Sequence, residues 1–130
     1  MNTEKSAIEG YIALESKDYK TAYDQFLRTR KGLNDTTAWR GGIAEALIGM
    51  SRYEDALKEL RQLRIESERN WISAEYLRGL YFEADALVKL GRNKEAVEPL
   101  QRLMVFWGNA DWEVPWLNDA KRLYSSLTAQ

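Results

Sequence analysis

Two carboxylates, Glu45 and Asp85, stand at matching places in a recurring sequence pattern and are the nearest this chain comes to a general acid and base. A carboxylate pair alone can support proton transfer. Nothing around either residue suggests the enclosed pocket that such chemistry needs. The chain has no histidine, so Ser-His triads and histidine-based zinc sites are excluded. It has no cysteine either, which removes disulfides, thiolate metal ligands and a thiol nucleophile. The remaining chemistry is recognition. Glu45 and Asp85 favour a cationic group on a ligand, or are simply solvated. Tyr11, Tyr81 and Phe82 are flat apolar anchors of the kind that dominate binding energies, or ordinary core residues. No catalytic residue, cofactor or metal is expected.

Charge and hydropathy narrow the partners. Nineteen basic and twenty acidic residues leave a formal charge of -1, which provides no field to steer nucleic acid or an anionic membrane surface. Arg52, Lys58, Arg61, Arg64 and Arg69 form a basic run, but Glu54, Asp55, Glu59, Glu66 and Glu68 are interleaved with it. That mixture describes a solvated helix face. The opening MNTEKSAIEG lacks an apolar run for a secretory signal. The uncharged stretch LMVFWGNA is far short of the ~20 residues that span a bilayer. A cytoplasmic location is expected, or a periplasmic one if the chain is a module of a larger exported protein.

The elements that must position these residues are helices. With 130 residues, 45% of them hydrophobic, the chain is long enough for one domain with its own core. Apolar residues recur at spacings of three and four, as in Trp39, Ile43, Leu47 and Met50, then Ala56, Leu57, Leu60 and Leu63. Only Ser51-Arg52-Tyr53 separates those two stripes, so the helices must fold back antiparallel to bury them. The same helix-break-helix unit occurs around KDYKTAYDQFL, SRYEDALKELRQL and GRNKEAVEPLQRL. Ala22, Ala56 and Ala96 are equivalent, at intervals of 34 and 40 residues.

A 34-residue period is the tetratricopeptide length, and over about residues 5 to 103 the chain resembles a tetratricopeptide repeat (TPR) protein. The family's first small position is matched by Gly10, Ala44 and Ala84, its second by Ala22, Ala56 and Ala96. Its larger apolar position one turn on is matched by Phe26, Leu60 and Leu100. Small residues at these places allow close helix approach. The resemblance implies an all-α fold: a right-handed α-solenoid of three hairpins, at about 5-35, 37-68 and 71-107, with a capping helix at about 114-128, seven helices in one domain spanning 1-130. Glu9 departs from the family's apolar preference, so the first unit reads as a cap with one solvated face or as a less regular repeat. Pro99 deletes a hydrogen bond inside its helix and should kink it near Glu95. The six extra residues of the longer interval fall in RIESERNWISAE. They lengthen both flanking helices or form a loop capped by Ser67 or Asn70; longer helices are the expectation.

In the TPR family the first helices of successive repeats line a concave groove that holds a protein or peptide segment. Carried over, its spacing points to Ala7, Tyr11 and Leu14, then Gly41, Glu45 and Ile48, then Arg78, Tyr81, Asp85 and Val88 with Phe82 beside them. Gly41 and Gly42 cost about 1 kcal/mol each inside a helix, and either let a ligand approach the backbone or let a neighbouring helix pack closely. The lysine and asparagine clamp of chaperone-binding TPR domains is absent: the matching places hold Ala7, Tyr11, Gly42, Arg78 and Phe82.

After Leu103 the pattern changes. Gly108-Asn109 stops a helix and Val114-Pro115 starts another, whose apolar line of Trp116 or Leu117, Ala120, Leu123 or Tyr124, and Leu127 should cover the last repeat. This tail resembles the C-terminal TPR segment of bacterial multidomain regulators and kinases. Trp107, Trp112 and Trp116 fall within ten residues, either buried beneath the cap helix or forming a self-association patch. The leading expectation is a protein-interaction module, the alternative a self-assembling unit, possible as a homodimer through the Trp-rich region.

Overall fold

The computed structural model describes residues 3–34, 38–70, 73–107 and 114–129, with no side-chain description for Thr3 and Glu4. Seven α-helices occur among the described residues: α1 (Thr3–Glu15), α2 (Tyr19–Leu33), α3 (Arg40–Gly49), α4 (Tyr53–Asn70), α5 (Ala74–Lys89), α6 (Asn93–Trp107) and α7 (Pro115–Thr128). The chain divides into two compact units, residues 1–59 and 60–130, with α4 contributing to both.

Each hairpin turns in the same way. Lys17, Ser51 and Gly91 adopt left-handed backbone angles, with φ of 60°, 61° and 77°. The next amide then reaches back five residues: Asp18 donates to the Ala13 carbonyl, Arg52 to Leu47 and Arg92 to Leu87, each at 2.8 Å. This pattern caps the orphan carbonyls of the first helix and reverses the chain. Its recurrence at three places is the repeat seen at backbone level.

In the first unit α1, α2 and α3 pack on one another. Phe26 is fully buried between α1 and α3. A Cβ at either Gly10 or Gly42 would lie 2.8 Å from its ring, so two glycines form the slot that admits the aromatic. In the second unit α5, α6 and α7 pack mutually. Tyr76, Leu80, Ala84, Leu87, Ala96, Leu100 and Leu103 form that core, and Leu117 and Ala120 of α7 are wholly buried. Leu123, Tyr124 and Leu127 are half-buried, completing the expected line on α7. Every small and large family position named above is buried.

Three local expectations are refined. Trp39 stands before α3 rather than in it, with φ of 62°, and its carbonyl accepts from the Ile43 amide. The longer interval is taken up partly by α4, which runs 18 residues to Asn70. Neither Ser67 nor Asn70 caps the next helix. Ser73 does, its hydroxyl accepting from the Tyr76 amide at 3.1 Å, while Ser67 is buried inside α4. Helix α6 runs through Pro99, which is buried; the proline has no N–H to give to the Glu95 carbonyl. The expected stop at Gly108-Asn109 lies outside the described residues.

Candidate functional site

The residues assigned to recognition fall on the first helices of the hairpins, three or four apart, and the structure sorts them by exposure. In the first unit Ala7, Leu14 and Ile48 turn inward and are buried. They correct the expected surface lines: the packed face of α1 is Ser6, Ala7, Gly10, Ala13 and Leu14, which leaves Tyr11 at its edge, 45% exposed. The Tyr11 ring stands edge-on to Phe26 and Trp39, at centroid distances of 5.0 and 5.8 Å. Gly42 is buried against Phe26, so helix packing accounts for its lack of a side chain. Gly41 and Glu45 are half-buried on α3.

The start of α3 is fixed by an ion network that sequence reading missed. The Arg30 guanidinium donates two bonds to the Glu59 carboxylate at 2.9 and 2.8 Å, and a third to the Ala38 carbonyl at 2.6 Å. Arg40 donates to the same carboxylate at 2.9 Å. Burial acts to raise the Glu59 carboxyl, but the two arginines outweigh it and hold its pKa below the ordinary value. Sequence reading placed Glu59 among the interleaved charges of a solvated face, whereas its side chain is only 18% exposed and is held between two arginines. Beside this network the Trp39 indole nitrogen is buried without a hydrogen-bond partner.

In the second unit the candidate residues come together as a row of rings. Phe82 and Tyr81 are 5.4 Å apart, Tyr81 stacks on Trp116 at 6.4 Å and 28°, and Trp116 lies 5.7 Å from Trp107. All four are half-buried. The Arg78 guanidinium caps the row, 5.3 Å above the Phe82 ring. Asp85 pairs with Lys89 at 2.9 Å, and Asp119 with Arg122. Burial, then the nearby Asp85 and Asp119, pushes the Tyr81 hydroxyl up to about 12, so it stays a neutral donor and acceptor at physiological pH. Trp107 and Trp116 thus spend part of their surface on each other, and Trp116 a further part on Tyr81. Trp112 lies outside the described residues.

Two members of the basic run have carboxylate partners in the structure. Arg52 pairs with Asp55, and Arg64 reaches Glu68, Glu83 and Glu98 at 3.5, 3.5 and 2.6 Å. No group of histidine, cysteine or acidic residues suited to a metal ion occurs among the described residues. No described helix is long and apolar enough to cross a membrane.

Solved structures share this fold, among them the following two. A TPR-like protein from Chlorobium tepidum TLS superposes with a TM-score of 0.74 at 19% identity, covering 100% of this chain and 98% of that one. The TPR2AB domain of yeast Sti1, solved in a pHSP90 complex, gives 0.74 at 18% identity and covers 98% of this chain. This chain spans 48% of that one. No protein-family model matches the chain, and no curated protein matches it by sequence. The fold is therefore that of tetratricopeptide-like helical repeats.

Proposed function

We propose that this chain is a protein-interaction module that catalyses nothing itself and holds a peptide or protein segment on the exposed faces of its first helices. The contacts in the first unit are Tyr11, Gly41 and Glu45; Gly42, first counted with them, is buried against Phe26 and belongs to the packing instead. In the second unit they are Arg78, Tyr81, Phe82 and Asp85. The observation that carries the reading is the half-buried row Phe82, Tyr81, Trp116 and Trp107 with a cation at one end and a neutral phenol within it. Partly exposed aromatic rings fixed by their neighbours lose little entropy when a ligand covers them, which is why such residues carry binding energy.

The fold adds support by analogy, since the Sti1 TPR2AB domain of the same architecture was solved in a pHSP90 complex. The acidic chaperone tail is not the ligand this surface suits, because the clamp positions hold Ala7, Tyr11, Gly42, Arg78 and Phe82 in place of lysines and asparagines. Binding on preformed helices should need little rearrangement. The test is affinity capture of partners by the wild type and by Tyr81→Ala/Asp85→Ala, with helicity checked by circular dichroism. Loss of a partner by the folded double variant is expected. Equal recovery by both proteins would dispose of the second-unit face as the binding site.

A further inference from the structure

The outer face of α1 is apolar where a solvated face would be polar. Ile8 and Ile12 sit one helical turn apart, 59% and 60% exposed, diametrically opposite the buried line Ser6, Ala7, Gly10, Ala13 and Leu14. Lys5 lies a turn before them and Glu15 a turn after, both exposed. Lys5 stands 3.9 Å from Glu9, and its side chain is 73% exposed.

These four residues are symmetric in register about Gly10. When a second α1 is laid antiparallel across the first with a twofold axis at Gly10, Ile8 meets the partner's Ile12 and Lys5 meets the partner's Glu15. Each contact occurs twice, as an isologous interface requires. A parallel pairing would set Lys5 against the partner's Lys5 and Glu15 against the partner's Glu15, which like-charge repulsion disfavours. The charge pattern therefore selects both the occupant and its direction.

We infer that the Ile8/Ile12 face of α1 is a homodimer interface, in which two copies of this chain pair antiparallel through α1 with Lys5 bridging to the partner's Glu15. The interface involves the first unit alone and does not depend on the aromatic row of the second. Two short helices bury less than a standard interface, so the dimer is weak, with a Kd on the order of tens of micromolar.

Sedimentation velocity on the 130-residue chain from about 5 to about 200 micromolar spans that range. The expected result is a shift from the 15.1 kDa monomer toward a dimer. Lys5→Glu alone and Glu15→Lys alone should each be monomeric, because each places like charges at both ends of the interface. An equimolar mixture of the two variants should dimerise, since every cross-pair then joins unlike charges, and the double variant should recover the wild-type shift. Ile12→Asp should abolish it with helicity intact. A wild-type monomer at the highest concentration overturns the inference, as does a dimer indifferent to both charge reversals. If such a dimer disappeared in Trp116→Ala, association would belong to the Trp-rich region instead.

Discussion

Gly42 shows how one residue's role separates the two uses a helical glycine can have. Its replacement by alanine would gain about 1 kcal/mol of helix propensity. It would also put a methyl group 2.8 Å from the Phe26 ring, which Gly10 confines on another side, where an added Cβ would likewise fall 2.8 Å from it. Overpacking of this kind costs roughly 1–3 kcal/mol, and a ring confined on two sides belongs at the upper end. Gly42→Ala should therefore lower stability by about 1–2 kcal/mol, measured by urea unfolding. A variant as stable as the wild type would show that the ring can shift. The sequence marked Gly42 as unusual and offered both readings, but the side chain that decides between them is 16 residues away and in another helix.

The hairpin turns are the elements most alike across the chain, yet they differ in one residue. The left-handed position is glycine in the third turn, lysine in the first and serine in the second. A side chain there costs roughly 1 kcal/mol because its Cβ crowds the following carbonyl oxygen, which glycine avoids. Ser51→Gly should stabilise the chain by about 0.5–1 kcal/mol, after allowing for the greater freedom of the unfolded glycine. Thermal unfolding with a rise of a few degrees would bear this out; an unchanged or lower midpoint would refute it. Helix periodicity and the alanine spacing made the hairpins legible without coordinates, because close packing leaves a mark at each repeat. The αL start of α3 at Trp39 was not legible. It depends on Arg30 holding the Ala38 carbonyl and on Arg40 and Arg30 sharing Glu59, contacts between residues up to 29 apart. Likewise the row from Phe82 to Trp107 joins α5, α6 and α7, and no spacing along one helix could announce it.

At the scale of the molecule, the near-equal numbers of acidic and basic residues conceal carboxylates that respond to pH in opposite directions. Glu98 is held below the ordinary range chiefly by its bond to Arg64, and Glu59 lies low because Arg30 and Arg40 outweigh its burial. Groups of this kind stabilise the fold above their unfolded pKa, and that contribution is lost as pH falls through the folded value. Glu83 behaves in the reverse sense. Burial raises its pKa despite Arg64 and Arg61, it is only 5% exposed, and its Oε1 has no hydrogen-bond partner. The folded chain therefore binds a proton at Glu83 more readily than the unfolded chain does, so this residue's contribution declines as pH rises from about 4.5 through its folded pKa. Glu83→Gln removes that titration while keeping the shape, and Arg64 retains Glu98 at 2.6 Å. The stability of Glu83→Gln relative to wild type should accordingly increase between pH 4 and pH 7, read from urea midpoints across that range. A difference that stayed flat, or moved in favour of the wild type at neutral pH, would mean that Arg64 and Arg61 compensate the buried carboxylate in full and that Glu83 helps to hold α4 and α5 together as an ion pair.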